Sequence, residues 1–201
     1  PGDYEKIEYL KAMELAADGI SALGHRYAAE ARKLAEAEPD EKRRKELLQI
    51  AETCDQVPEK PARTFREAIQ SMYIYQTCIF MEQNAASYNP GRMDQYLYPF
   101  YKADIEAGRL TEEEAQELLD CLWVKFSEQC LFQDQVTAQF SAGYPMFQNV
   151  CCGGVDERGM DAVNDVSYLI LQATACLLYR LSSLEPVSRH STTMKLVSRC
   201  S

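Results

Sequence analysis

Three stretches of this sequence combine glycine or small residues with amide, hydroxyl or aromatic side chains, a mixture suited to orienting a small polar molecule. They are Glu82-Gln83-Asn84-Ala85-Ala86-Ser87, then Gly91-Arg92-Met93-Asp94-Gln95-Tyr96, and Gly143-Tyr144-Pro145-Met146-Phe147-Gln148-Asn149 with Gly153-Gly154 beyond. Loops held by a rigid scaffold are favoured binding places, and a pocket needs aromatic walls with a few polar groups. Glycine also serves turns and close backbone packing, so a purely structural role stays open. Arg92 and Asp94 are placed either to pair and fix the middle loop or to meet a substrate. Asn84, Gln95 and Asn149 are of the type that satisfies buried loop amides.

Other chemistries find less support. The two histidines, His25 and His190, lie far apart, no Cys-x-x-Cys occurs, and Cys151-Cys152 are adjacent, so no metal site is expected. His25 reads as a helix-surface residue, because no titratable partner lies at a neighbouring helical position. The eight cysteines are scattered through segments that read as helix or core, which suits reduced thiols acting as small hydrophobes. No Ser-His-Asp arrangement, Walker loop or dinucleotide fingerprint is present. With 21 basic against 31 acidic residues the net charge is −10 and the isoelectric point about 4.8, which disfavours nucleic acid and anionic membranes as partners. The absence of a long apolar run and the unlikeness of Pro1-Gly2-Asp3-Tyr4-Glu5 to a signal peptide lead us to expect a cytoplasmic protein.

The elements that must carry these loops are helical. From Tyr4 to Glu38 the residues Ile7, Leu10, Met13, Ala17, Ile20, Leu23, Tyr27, Ala31 and Leu34 recur at helical spacing, with Asp3 as N-cap and Gly19 and Gly24 as points of bending. Pro39-Asp40 starts a second helix with Leu47, Leu48, Ala51 and Cys54 inward. Thr64-Phe65-Arg66-Glu67 and Thr111-Glu112-Glu113-Glu114 are capping boxes, each opening a helix. Pro99 either kinks another helix or sits in its first turn, and Asp161 is expected to cap the last one through Val163, Val166, Leu169, Ile170 and Ala173. Phe100, Tyr101, Trp123 and Phe126 read as core. The residues from Gln148 to Cys152 form a short buried strand, and Asp156-Glu157-Arg158-Gly159 a turn. Five to seven helices with few strands result, broken near Pro39, Pro58 to Pro61, Glu82 to Gly91, and Gly108 to Leu110.

The run Gly91-Arg92-Met93-Asp94-Gln95-Tyr96-Leu97-Tyr98-Pro99-Phe100-Tyr101, continued by Asp104 through Ala115, closely resembles the pyruvate formate-lyase domain of glycyl radical enzymes, in their dehydratase and lyase branches. The likeness extends back through Val57-Pro58, Pro61 and Thr64 to Ala68. It extends forward through Gly143 to Asn149, Gly153-Gly154-Val155-Asp156 and Asp161 to Asn164. It covers residues 4–178, so residues 1–178 are expected to be part of such a domain, an internal fragment, and 179–201 a divergent or aberrant tail. The fold implied is the α/β ten-stranded half-barrel pair of that family, of which this part is mainly α.

The family's chemistry, as the resemblance implies it, begins with a glycyl radical installed by an activating enzyme that uses S-adenosylmethionine and an iron–sulfur cluster. The radical makes a thiyl on a buried cysteine, which abstracts hydrogen from a small substrate. The cysteine sits in a Gly-Cys-Val-Glu type motif and the glycine in an Arg-Val-x-Gly-Tyr type motif, and neither string occurs here. No catalytic residue and no bound cofactor are therefore expected in these 201 residues, which should be inactive alone. The parent enzyme is expected to be a homodimer. Ser87, Tyr144 and Phe147 are implied to line the substrate pocket, with Asp94 organising its wall. Diol dehydratases carry an Asn-Gly-His-Ser type string where this chain has Asn84-Ala85-Ala86-Ser87, which shifts weight from a diol towards an amino acid or amine, as in hydroxyproline dehydratase. The rival reading is a non-catalytic helical accessory or interaction module.

Overall fold

The structure, a computed structural model, describes residues 2–83, 88–129, 134–136, 139 and 148–183, with 177–183 described as backbone. The chain divides into two compact units, the first running to Cys78 and the second beginning at Ile79.

The first unit is a helical hairpin capped by a third helix. α1 (Gly2–Ala37) and α2 (Glu41–Gln56) are joined by three residues, and α3 (Phe65–Gln83) starts after the proline-bounded turn and ends in the second unit. Asp40 caps α2 by accepting from the Lys42 N–H at 3.2 Å. Asp3, expected as the cap of α1, instead lies inside its first turn, because the helix already begins at Gly2. Gly19 and Gly24 do not break α1. Gly24 is where the helices close: a Cβ there would lie 3.0 Å from Pro58 Cδ and 3.1 Å from the Cys54 and Val57 carbonyl oxygens. Ala28, Cys54 and Ile74 form a buried cluster flanked by Ile20, Leu23, Ile50 and Cys78.

Of the expected inner stripe of α1 only Ala31 is buried, with Ile20 and Leu23 partly so. Residues 2–19 are exposed, Ile7, Leu10 and Met13 among them, as are Tyr27 and Leu34 further along. Length explains it. α1 has 36 residues and α2 has 16, about 54 and 24 Å of helix, so α2 reaches only the second half of α1. On α2 Leu47, Ala51 and Cys54 are buried as expected, whereas Leu48 faces outward.

The second unit packs β1 (Gly91–Arg92), α4 (Met93–Glu106), α5 (Glu112–Glu128), β2 (Val150–Cys151) and α6 (Asp165–Ser183). Thr111 and Glu114 form the expected capping box of α5, at 3.2 and 2.8 Å. Ala115, Leu119, Leu122, Trp123 and Phe126 of α5 meet Val166, Leu169, Ile170 and Ala173 of α6 in the core, while Val163 is exposed. Trp123 Nε1 donates to Thr174 Oγ1 at 3.0 Å, which satisfies the indole inside that core. Pro99 lies inside α4, the first of the two expected placements, and not in its first turn. Asp161 does not cap α6: it accepts from the Val163 N–H at 3.0 Å in a local turn. The reciprocal pair before α6 is Asn164 and Ser167, each accepting from the other's backbone N–H at 3.3 and 3.1 Å.

Candidate functional site

The segment 89–95 is joined to the segment 149–167 by side chains that bond mainly to backbone. Pro90-Gly91 turns the chain, Gly91 taking φ +75°, a conformation in which a side chain is strained. β1 then pairs in parallel with β2, Gly91 opposite Val150 and Arg92 opposite Cys151. Just before the strands, Asn149 N–H donates to Asn89 Oδ1 at 2.7 Å. Just after them, the Arg92 guanidinium donates to the carbonyls of Gly153 at 2.7 Å and Val155 at 3.2 Å. Gln95 Nε2 reaches the Ala162 carbonyl at 2.8 Å.

Asp94 is the centre of this arrangement. It is fully buried in the first turn of α4, and its Oδ2 accepts from Gly153 N–H and Ser167 Oγ, both at 2.6 Å. Its own backbone carbonyl accepts from Asn164 Nδ2 at 3.2 Å. Its Oδ1 is buried without a hydrogen-bond partner among the described residues. Gly153, at φ +69°, is thus gripped on both sides, its N–H by Asp94 and its carbonyl by Arg92. The ion pair between Arg92 and Asp94 is not formed: each side chain spends its bonding capacity on the 153–167 segment. Burial pushes the Cys152 thiol up, with the charges of Asp94 and Cys151 acting in the same direction, so this thiol stays protonated and is a poor nucleophile.

A buried amide pair lies beside this zipper. Gln148 Nε2 donates to Gln129 Oε1 at 3.1 Å, closing the base of the segment that begins after α5 and returns at β2. Of the expected substrate-facing residues, Asp94 is described, whereas Ser87, Tyr144 and Phe147 lie outside the described residues. Asn84 lies outside them as well. Asn89, Gln129 and Ser167 were not foreseen as participants. Their partners are 60, 19 and 73 positions away, and no local spacing encodes such pairings. A groove between α5 and α6, lined by Glu117, Asp120, Cys121, Val124 and Ala173 among others, contains none of these residues.

Away from this zipper, His25 is exposed as expected but has ionisable neighbours from beyond its own helix. Asp55 lies 3.5 Å from Nδ1 and Glu59 3.0 Å from Nε2. Burial, with the charge of Asp55, raises the Cys54 thiol to about 11, in keeping with a core thiol. Among the described residues no group of three or more His, Cys, Asp or Glu side chains could hold a metal, and no helix is long and apolar enough to cross a membrane.

A helical chain with a parallel strand pair locked by a Gly-Arg-x-Asp-Gln run, its Asp94 buried, matches a known class. Residues 1–189 match the family described as pyruvate formate lyase-like, and the chain belongs to that family. Among curated relatives, the trans-4-hydroxy-L-proline dehydratase of Clostridioides difficile is 45% identical over 170 residues, 84% of this chain and 22% of that one. A solved structure concerned with 1,2-propanediol dehydration in Roseburia inulinivorans superposes with TM-score 0.85 at 41% identity, covering 89% of this chain and 22% of the other. A glycyl radical enzyme from Archaeoglobus fulgidus gives TM-score 0.75 at 41% identity, covering 80% and 21%. The fold is therefore that of the glycyl radical dehydratases and lyases, and the chain spans about a fifth of the length of these relatives.

Proposed function

We propose that these residues build one wall of the substrate pocket in a glycyl radical dehydratase or lyase that acts on a small polar molecule, an amino acid or amine in preference to a diol. The observation that carries this reading is the hydrogen bond from Asn149 N–H to Asn89 Oδ1, beside the parallel pairing of Gly91 with Val150. Ser87 and Phe147 each lie two residues from one end of that bond. Ser87, Tyr144 and Phe147 are assigned to one pocket on the family resemblance, and Asp94 to the buried support behind it. Ala86, in place of the histidine of the diol branch, is what favours the amino acid or amine.

In this reading the wall excludes water and orients the substrate, and the hydrogen-abstracting sulfur and the radical glycine come from sequence outside these 201 residues. A radical S-adenosylmethionine activating enzyme is the implied partner, and a cytoplasmic homodimer the implied assembly. Residues 1–178 are the part assigned to the domain, with 179–201 a divergent tail. The test is anaerobic activation of the intact enzyme carrying this segment, with trans-4-hydroxy-L-proline and 1,2-propanediol as substrates and electron paramagnetic resonance as readout. A glycyl radical signal with turnover of the amino acid is expected, and these 201 residues expressed alone should give neither. An intact protein with no radical signal and no turnover would favour the interaction module, for which the exposed apolar residues of α1 speak.

A further inference from the structure

We propose that Oδ1 of Asp94 holds an internal water molecule, which completes the bonding between the first turn of α4 and the 152–167 segment. Its surroundings lie within the second unit, between α4, the turn after β2 and the start of α6.

The two oxygens of this carboxyl are used unequally. Oδ2 accepts from Gly153 N–H and Ser167 Oγ, both at 2.6 Å, whereas Oδ1 is buried with no partner among the described residues. Protonation does not remove the deficit. An ionised carboxylate needs a donor at Oδ1; a protonated one, its Oδ2 already receiving two hydrogens, carries the proton on Oδ1 and needs an acceptor there. Buried polar groups left unsatisfied are rare, and charged ones are the costliest to leave so.

The polar groups around Asp94 are committed elsewhere. The Ser167 hydroxyl donates to Oδ2 and accepts from Asn164 N–H. Asn164 Nδ2 donates to the Asp94 carbonyl, Gln95 Nε2 to the Ala162 carbonyl, and the Arg92 guanidinium to the carbonyls of Gly153 and Val155. Cys152 is close enough for its thiol to feel the charge of Asp94, but a thiol is a weak donor. The occupant of Oδ1 is therefore not a side chain of this cluster. It is small, because Asp94 is fully buried, and it is not a metal ion, because no group of three or more His, Cys, Asp or Glu side chains among the described residues could hold one. Water meets these terms in either protonation state, since it both donates and accepts, and its bridging bonds are nearly as favourable as direct ones. The Cys152 thiol is the neighbour that offers it a second bond. Ordering a water has an entropic cost, so losing Oδ1 together with its water still offsets part of what Asp94→Leu gives up at Oδ2.

The test is the crystal structure of the intact enzyme carrying this segment, at a resolution that places waters, with Asp94→Leu beside it. The wild type is expected to show a density peak about 2.6–3.2 Å from Asp94 Oδ1, and Asp94→Leu to lose it. A wild-type map with no peak there overturns the proposal, and so does a protein donor or acceptor bonded to Oδ1. A peak with about six or more oxygen ligands at about 2.3–2.6 Å marks a cation and overturns it as well. A peak that keeps its wild-type height in Asp94→Leu is held by other groups, which refutes the assignment to Oδ1. Should Asp94→Leu not fold, the wild-type map decides alone. Neither arm needs the radical or turnover, so the outcome is separate from that of the functional reading.

Discussion

Up to Cys78 the helices meet through small residues, whereas from Ile79 onward segments far apart in sequence are joined by side-chain hydrogen bonds, those of Asp94 and Gln148 buried. In the first unit Gly24, Ala28, Ala31 and Ala35 bring α1 down onto its neighbours, and Arg32 with Asp55 forms an exposed pair. In the second, Asp94, Asn89, Arg92, Gln95 and Gln148 each read a specific partner. Apolar contacts tolerate sliding, because their attraction is non-directional. Buried hydrogen bonds do not, because a misplaced donor is left unsatisfied at a cost comparable to the bond itself. A position that must be reproducible to a fraction of an ångström is better held by the second kind, and the proposed pocket loops spring from the unit that uses it.

The largest effect should follow from removing the central acceptor. Asp94→Leu strands the Gly153 N–H and the Ser167 hydroxyl, at about 1–3 kcal/mol for each buried unsatisfied group, partly offset by losing the unpartnered Oδ1. A net loss of about 3 kcal/mol is expected, and about 1 kcal/mol for Ser167→Ala. Trp123, the one tryptophan, is buried in this unit and reports its urea unfolding by fluorescence. A midpoint for Asp94→Leu equal to wild type would erase the contrast between the units.

Next in size is a pair of glycine substitutions that should move the first unit in opposite directions. At Gly24 a methyl group meets two backbone carbonyl oxygens at 3.1 Å, neither of which can swing away. Overpacking there costs about 1–3 kcal/mol, against a helix-propensity gain of about 1 kcal/mol, so Gly24→Ala should be destabilising. At Gly19 nothing lies within 4 Å, so Gly19→Ala keeps the propensity gain of about 1 kcal/mol. Hydrogen exchange of the α1 and α2 amides measures both. Equal shifts of the same sign would mean that close approach at Gly24 does not hold the hairpin.

What could be read from the sequence divides along the same line. The breaks at Pro39 and Gly108, the Thr111 capping box and the core positions Trp123 and Phe126 of α5 follow from local signals and lie where those put them, while the strand expected from Gln148 to Cys152 is shorter, Val150–Cys151. The stripe on α1 was legible as amphipathic, but periodicity does not state how long the covering helix is, so Ile7, Leu10 and Met13 were expected inside and lie outside. Arg92 and Asp94 drew attention by their charge and proximity. Their partners in the 153–167 segment could not be inferred, because bonds across 59 to 73 positions leave no periodic trace. Ser87, Tyr144 and Phe147 came from the family resemblance rather than from the residues themselves.

The smallest effects expected are electrostatic, and they separate a buried carboxylate from an exposed one within the first unit. Burial pushes the Glu67 carboxyl up, but hydrogen bonds from Arg63 outweigh it: the backbone N–H at 2.7 Å and the guanidinium at 2.7 Å hold it below its usual 4.5. The hydrogen bond from Arg32 chiefly holds the exposed Asp55 below its usual 3.8. For a carboxylate lowered in the folded state, the stabilisation is complete above the unfolded value and vanishes as pH falls through the folded one. The advantage of wild type over Glu67→Gln should therefore be constant from pH 7 to about 5 and shrink as acid is added below 4.5. Asp55→Asn should differ from wild type only below that of Glu67→Gln in size, and 1 M salt should remove the difference, because exposed pairs are screened. Far-UV circular dichroism during urea unfolding at each pH measures both. A salt-insensitive Asp55 effect as large as that of Glu67 would mean that exposure does not weaken the pair, and the contrast between buried and exposed contacts would fail.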